Sequence, residues 1–486
     1  MRLDPETCAR ARLARDSRFD GRFFVAVRTT GIFCRPICPA RPPLEKNVTY
    51  YRTAAEATRA GYRPCLRCRP DAAPGSPAWG LVSTTVRRAL QLMRSEREAV
   101  SVERLAERLG VSSRYLRRLF SEHLGTSPLA IWQAERALFA YGLLRDTGLP
   151  VGDIAFAAGF GSLRRFNAVF KQVYRRTPTE VRREAEMPAP EGGRSSVRLY
   201  LHYRPPFHWE QLLAFFRQRA LPGVEQVVDG IYQRSFTLEG SCGLVRVRHE
   251  PASRRLAVEI QGQVGTALYP ISQKLRRLFD LDADTDEIDR VLSRDPLLAQ
   301  QVRRCPGTRL PGAWDPFEYA LRAILGQQIS VAAATTIAGR VVDRYGSAFH
   351  DDAGNVHRLF PSAAQLAGAD FSGLGLTRKR AETLRGFVEA TLAGHVDFDT
   401  PDLEQWCAQV TALPGIGDWT AHYIAMRGLS MPDAFPASDL GILKALGKGQ
   451  EKARPKEAEA RAEAWRPWRA YAALLLWQSL SPENQA

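Results

Sequence analysis

The sequence predicts a multidomain chain, mainly α with α+β parts. In order it reads as a small four-cysteine module, two helix-turn-helix units, a small α+β domain and an all-α domain built around a helical hairpin. Three observations lead there. A chain of 486 residues is too long for one hydrophobic core, so three or more domains are expected. The basic excess is confined to the front: Met1 to Met187 holds 33 Lys and Arg against 18 Asp and Glu, and the remainder 35 against 34. The local pattern also changes along the chain, from cysteine-punctuated turns to amphipathic helices, then strand-like runs, then helices again.

Composition narrows the class further. The chain is 45% hydrophobic and 25% charged without a low-complexity tract, which excludes a disordered or fibrous protein. The first twenty residues mix arginines with acids and lack the apolar centre of a signal peptide. No apolar run approaches the roughly 18 residues of a membrane span. A reducing, cytoplasmic setting without membrane contact is expected, where eight cysteines remain thiols rather than disulfides. In the front half 31 of the 33 basic residues are arginine, whose planar fork suits phosphates and guanine edges. A GC-rich genome explains part of that preference. It does not explain why the excess stops near residue 187.

The first module is defined by Cys34-x3-Cys38 and Cys65-x2-Cys68, two chelating pairs on two turns. Four soft sulfurs at this spacing close a tetrahedral zinc site and disfavour magnesium or calcium; a redox pair is the competing reading. Cys8, Cys242, Cys305 and Cys407 have no comparable partners and read as structural thiols. The run from Ser17 to Pro36, with Asn47–Tyr51 and Ala60–Cys68, resembles the amino-terminal domain of Ada-type adaptive-response proteins over residues 1–75. The resemblance implies that Cys34 accepts a methyl group from an alkylated DNA phosphate and keeps it. Zinc favours the thiolate, which is the nucleophile. Four thiolates on one Zn²⁺ sum to −2, and methylating one leaves −1, which lessens repulsion from DNA.

Two amphipathic units follow. Val102–Phe120 has helical apolar spacing, a Gly110-Val turn and a serine cap; Val151–Phe170 repeats the layout around Gly159 and Ser162. One such unit alone is compatible with a plain helical hairpin. Two of them, joined by a helix around Trp132–Leu144, resemble the AraC-type DNA-binding domain, here residues 80–186. The second helix of each unit would enter the major groove. Ser113, Arg114, Arg117 and Arg118 on the first, and Ser162, Arg164, Arg165 and Asn167 on the second, are the candidate DNA contacts. Each arginine has a solvated face as its alternative. The partners expected are double-stranded DNA at promoter sites and RNA polymerase. A Pro-Cys-His-Arg motif is absent, so the O6-methylguanine methyltransferase half of Ada-type proteins is not expected.

Met187–Ser196 is rich in Pro, Gly and Ser and reads as a linker. The strand-like runs Arg198–Tyr203, Leu244–Arg248 and Leu256–Ile260 place an α+β domain over 197–308; from Asp315 the pattern is helical, giving an all-α domain over 309–486. Within it Leu413–Tyr423 carries Gly415-x-Gly417 between helical segments, a turn that lets backbone amides approach a phosphate. With Pro436, Asp439, the run Leu321–Ser330 and the run Trp465–Trp477, it resembles the helix-hairpin-helix base-excision glycosylases. From Arg204 to the end the match is to the 3-methyladenine DNA glycosylase II branch.

That resemblance implies base flipping and hydrolysis of the N-glycosidic bond of alkylated purines of the 3-methyladenine and 7-methylguanine class. Electron-rich Trp419, Tyr423, Trp477 and Phe215 would stack on a cationic base, and Asp439 would stabilise the oxocarbenium-like sugar or orient water. Gln328, Gly415, Gly417 and Thr420 would contact DNA, Gln328 standing where the family has an apolar wedge. Leu440 and Gly441 replace bulkier pocket residues. Trp419 occupies the place of the lysine of glycosylase/lyases, so a monofunctional enzyme is expected. Cys407 is the last cysteine, so no iron–sulfur cluster is expected. Carbonyls near Leu413 and Ile416 are implied as a monovalent-cation site. Two bland alternatives stay open: Asp439 as a helix cap and Trp419 as core. The competing function is a DNA-binding regulator with an inactive glycosylase-like domain.

Overall fold

The computed structural model describes residues 4–68, 70, 84–96, 100–185, 196–238, 240–262, 264–400, 402–447 and 451–480. The expected boundary near residues 75–80 and the linker up to residue 195 lie outside them.

The first module packs α1 (Pro5–Leu13) and α2 (Ala54–Arg59) around strands β1 (Phe24–Val27), β2 (Ile32–Cys34), β3 (Val48–Tyr51) and β4 (Arg63–Pro64), ordered β3-β1-β2-β4. β1 pairs antiparallel with β2 and β3, while β2 and β4 are parallel, Phe33 opposite Pro64. Its core is small, with Phe24 and Phe33 meeting edge to face at 5.7 Å. A domain of this size needs a staple beyond its core.

The helical region comprises α3 (Thr84–Ser95), α4 (Val102–Arg108), α5 (Ser113–Leu124), α6 (Pro128–Asp146), α7 (Val151–Ala157), α8 (Leu163–Tyr174) and α9 (Pro178–Glu184). Serine side chains set the starts: Ser101, Ser112, Ser127 and Ser162 each accept an amide of the first turn of α4, α5, α6 and α8. Gly110 and Gly159, at φ +66° and +79°, make the two turns. α6 is the central strut. Its Tyr141 stacks on Tyr174 at 4.6 Å, and its Trp132 meets Phe160 at 5.3 Å.

The α+β domain is a five-stranded antiparallel sheet, β5 (Ser196–His202), β6 (Glu225–Val228), β7 (Ile231–Leu238), β8 (Ser241–Glu250) and β9 (Arg255–Gly262), in the order β5-β9-β8-β7-β6. Helices α10 (Trp209–Arg219), α11 (Leu268–Leu278), α12 (Thr285–Leu292) and α13 (Pro296–Arg304) accompany it. Ser196 opens β5, so the expected linker ends one residue earlier. β6 and β7 were not among the strand-like runs, for a physical reason. The middle of β7 is Gln233-Arg234-Ser235, all buried, because Arg234 pairs with Glu225 and Glu318 at 3.1 and 2.7 Å. Buried ion pairs hide the apolar alternation that marks a strand.

The last domain contains α14 (Pro316–Leu325), α15 (Val331–Tyr345), α16 (Arg378–Leu392), α17 (Leu403–Thr411), α18 (Asp418–Arg427), α19 (Leu440–Leu446), α20 (Pro455–Ala462) and α21 (Arg469–Ser479). The expectation of an all-α domain needs correcting, because a hairpin of β10 (Ser347–His350) and β11 (Val356–Leu359) interrupts it. The Asp351 carboxylate accepts the amides of Ala353 and Asn355, and Gly354 turns at φ +82°. Side-chain-to-backbone bonds of this kind outcompete helix locally.

The front and back halves share one apolar cluster, which runs from Trp132 and Leu144 into Leu199, Ile271 and Trp314. Phe139 meets Tyr269 edge to face at 5.1 Å, and Arg136 lies 3.5 Å over the Tyr269 ring. Among the described residues, charge pairs flank the seam, each with an arginine in front and an aspartate behind, as in Arg22–Asp284 at 3.0 Å and Arg88–Asp397 at 3.1 Å. No helix among the described residues is long and apolar enough to cross a membrane.

Candidate metal centre and active-site cleft

Local backbone geometry assembles the four cysteines. Parallel pairing of β2 with β4 sets the end of one strand beside the end of the other, and the Cys65 amide donates to the Phe33 carbonyl at 2.9 Å. Cys34 and Cys65 therefore emerge side by side. A turn returns Cys38, whose amide donates to the Arg35 carbonyl at 3.1 Å. The four Sγ atoms lie within 4.8 Å of one another, Cys65 and Cys68 buried and Cys34 and Cys38 half-buried.

Tetrahedral thiolates around one zinc stand about 3.8 Å apart, so this donor set fits a Zn²⁺ without rearrangement of the fold. Hydrogen bonds among the crowded sulfurs push Cys34 and Cys68 up and draw Cys38 and Cys65 down. A divalent cation relieves that conflict by allowing all four to be thiolates. Around the sulfurs, the Arg35 amide donates to Cys68 Sγ at 3.3 Å while its guanidinium pairs with buried Asp20.

The candidate recognition helices α5 and α8 present exposed faces. Arg114, Arg164, Arg165 and Asn167 are exposed and Ser113 is half-buried. Two expected contacts are already engaged within the chain. Arg117 pairs with Glu103 at 2.6 Å, and Arg118 lies 3.6 Å from Glu122. Ser112, not Ser113, caps α5, whereas the Ser162 hydroxyl caps α8 through the Arg165 amide at 3.2 Å.

In the back half a cleft of about 1000 Å³ opens between α14, α18, α19 and α21. Asp439 sits at its wall as the N-cap of α19. Its Oδ1 accepts the amides of Gly441 and Ile442 at 2.9 and 3.1 Å and the Trp477 indole N–H at 2.8 Å; its Oδ2 accepts the Trp419 indole N–H at 2.9 Å. The cap alternative is therefore correct, and it does not displace the functional one. Capping fixes the carboxylate while the two indoles orient it into the cleft. The loop leading to it is pinned where the Phe435 amide donates to His422 Nδ1 at 3.2 Å.

Trp419 and Tyr423, one turn apart on α18, stack at 5.0 Å with 14° between planes, and Tyr423 meets Trp477 edge to face at 6.2 Å. Burial alone would raise the Tyr423 phenol; the neighbouring Arg427 and Arg219 guanidiniums outweigh it and bring the group down to about 8. Both arginines line the cleft. Sequence reading missed them, although Trp419, Tyr423 and Arg427 recur every four residues on one helix face.

Phe215 needs a correction. It is absent from the lining of the cleft, and its ring lies 3.8 Å from the Arg219 guanidinium and 4.3 Å from that of Arg427. Cation–π contacts with the chain's own arginines occupy it. Thr420 lines the cleft but is nearly fully buried, and its hydroxyl accepts from Gln327 Nε2 at 3.0 Å. The same amide donates to the Gly415 carbonyl at 3.0 Å, tying the hairpin to the α14–α15 turn. Gly415 requires its residue type, since φ is +88° and a β-carbon would fall 2.0 Å from Thr383 Oγ1. Gly417 caps α18 without a side chain. Gln328 is exposed at φ +57°, a left-handed conformation that costs about 1–3 kcal/mol and projects its side chain outward at the cleft rim. The Leu413 carbonyl accepts the Ile416 amide at 3.2 Å.

Comparison with known proteins matches four families along the chain. They are the metal binding domain of Ada over residues 7–71, a helix-turn-helix domain over 105–184, the AlkA N-terminal domain over 198–315, and the HhH-GPD superfamily of base excision DNA repair proteins over 321–470. A Mycobacterium tuberculosis H37Rv protein described as a probable bifunctional transcriptional activator/DNA repair enzyme AlkA is 42% identical over 492 aligned residues. The match covers all of this chain and 98% of the relative. The DNA-3-methyladenine glycosylase 2 of Escherichia coli K12 is 36% identical across 57% of this chain and 95% of its own length. A solved 3-methyladenine DNA-glycosylase from Archaeoglobus fulgidus shares the fold of the back half, with a TM-score of 0.51 at 24% identity over 58% of this chain and 97% of that one.

Proposed function

The chain belongs to the family of bifunctional transcriptional activator/DNA repair enzymes that join an Ada-type front half to an AlkA-type glycosylase, and from that premise we propose the roles of its residues. The protein is a DNA-binding regulator and a 3-methyladenine-type DNA glycosylase in one polypeptide, with a Zn²⁺ site in its first module. Cys34, Cys38, Cys65 and Cys68 hold the zinc, which when bound keeps their sulfurs as thiolates at neutral pH. Cys34, half-buried, is the methyl acceptor. Its sulfur attacks the methyl carbon of a phosphotriester, the S–C bond forms as the C–O bond breaks, and a phosphodiester anion leaves. Arg114, Arg164, Arg165 and Asn167 contact promoter DNA.

In the cleft, Trp419, Tyr423 and Trp477 receive a flipped alkylated purine, whose positive charge already weakens its glycosidic bond. Asp439 stabilises the cationic sugar as the base departs, and water completes the hydrolysis. Gln328 fills the vacated stack. The observation that carries this reading is the Asp439 carboxylate, clamped by two indoles and two amides beside an aromatic wall. Four capping and indole donors keep it in place, and no cationic side chain among the described residues pairs with it, so the carboxylate remains available to the sugar. The carbonyl turn around Leu413 and Ile416 is the place for a monovalent cation on the phosphate side. RNA polymerase is the partner through which DNA binding becomes activation, and a reducing cytoplasm suits four thiolates held on zinc rather than paired as disulfides.

The test is release of 3-methyladenine from methylated DNA by the whole chain, lost in Asp439→Asn, together with promoter footprinting before and after methyl transfer. Full release by Asp439→Asn refutes the assignment of the carboxylate. No release by the wild type leaves only a regulator.

A further inference from the structure

We propose that Gly441 is a specificity-determining positioning residue: its missing side chain lets Trp477 lie back onto Asp439, which keeps the cleft open to bases carrying substituents larger than methyl. The inference rests on the glycosylase reading above. Gly441 occupies the first turn of α19 at an ordinary helical φ, outside the left-handed positions. Glycine there serves no conformational need and lowers helix propensity. Space explains it. A β-carbon at Gly441 would stand 2.9 Å from Trp477 Cδ1, 3.2 Å from Trp477 Nε1 and 3.1 Å from Asp439 Oδ1. It would intrude beside the 2.8 Å bond between that indole N–H and that carboxylate oxygen.

Trp477 is half-buried and lines the cleft, while Ala473, Leu474, Leu475 and Leu476, which precede it on α21, are buried and hold the helix in place. Any side chain at 441 therefore drives Trp477 into the volume a flipped base would use and loosens Asp439 from one of its donors. The backbone is held here, with the Gly441 and Ile442 amides on Asp439 Oδ1 and the Ile442 side chain fully buried, so the helix does not retreat from the indole. The glycine thus sets cleft width through Trp477.

The measurement is single-turnover and steady-state release from duplexes carrying one 7-methylguanine or one 7-benzylguanine, with the full-length protein. Wild type should release both bases. Gly441→Ala should lower kcat/KM for the benzyl base about tenfold more than for the methyl base. In a Trp477→Ala background, which removes the indole atoms the new methyl would meet, the same substitution should leave the ratio within about twofold. If Gly441→Ala does not fold, recovery of folding in the Trp477→Ala double variant supports the proposal, and failure to recover overturns it. An unchanged ratio in Gly441→Ala, an equal shift in the Trp477→Ala background, or wild type that releases only the methyl base each overturns it while leaving the glycosylase reading intact. Release of neither base by wild type overturns both.

Discussion

Arg204, at the start of the back half, donates through Nε to the backbone carbonyl of Asp20 in the metal-binding module at 2.6 Å, and both residues are almost fully buried. The carboxylate of the same Asp20 holds Arg35, whose amide donates to Cys68 Sγ. On the other side, the Arg204 carbonyl accepts from Arg309 at 2.5 Å, and Arg309 donates to the Asp280 carbonyl at 2.7 Å. The Asp20 carbonyl is thus one buried bolt between the metal module and the repair domain, beside the Arg22–Asp284 ion pair. Burial draws the Arg204 guanidinium down to about 10, so it stays charged at neutral pH.

Arg204→Met should destabilise the whole chain by about 2–4 kcal/mol, because the Asp20 carbonyl and its neighbours lose a buried charged donor. Calorimetry should show the front and back halves unfolding at separate temperatures where the wild type shows a shared transition. A single unshifted transition contradicts the bolt.

Cys38→Ala should abolish stoichiometric zinc and unfold the first module, while the back half still releases 3-methyladenine. Small cores of this kind owe most of their folding free energy to the ion. Inductively coupled plasma analysis and limited proteolysis of residues 4–68 check it; full zinc retention counts against the four-sulfur site.

Tyr423 should titrate near pH 8, well below an ordinary phenol at 10. A folded-state value below the unfolded one adds stability only as the phenolate forms. The contribution is therefore lost as pH falls through about 8 and complete above about 10, at most about 3 kcal/mol. Ultraviolet difference titration should show one early tyrosine that disappears in Tyr423→Phe. No early transition refutes the influence of Arg219 and Arg427.

Gly415→Ala should cost about 2–4 kcal/mol and weaken DNA binding by the back half, since the new methyl meets Thr383 and the φ of +88° disfavours a side chain. Chemical denaturation and binding to an abasic duplex measure both effects. Wild-type stability in this variant contradicts the hairpin geometry.

Much of this protein was legible in residue order, and the reason is locality. The Cys34-x3-Cys38 and Cys65-x2-Cys68 pairs, the serine-capped helix start at Ser162, and the Gly415-x-Gly417 turn each depend on neighbours a few residues away. Backbone stereochemistry and short-range hydrogen bonds then dictate their form. What the fold alone decided involves partners far apart in the chain. The Phe215 ring packs on Arg427, β7 was hidden by the pairing of Arg234 with Glu318, and the Thr420 hydroxyl accepts from Gln327. The Asp439 cap is local, made by the amides of Gly441 and Ile442, but the two indole donors that hold its oxygens come from Trp419 and Trp477, 20 and 38 residues away. Long-range packing chooses among side-chain environments that local sequence leaves equally open, because desolvation and pairing energies exist only after distant segments have met.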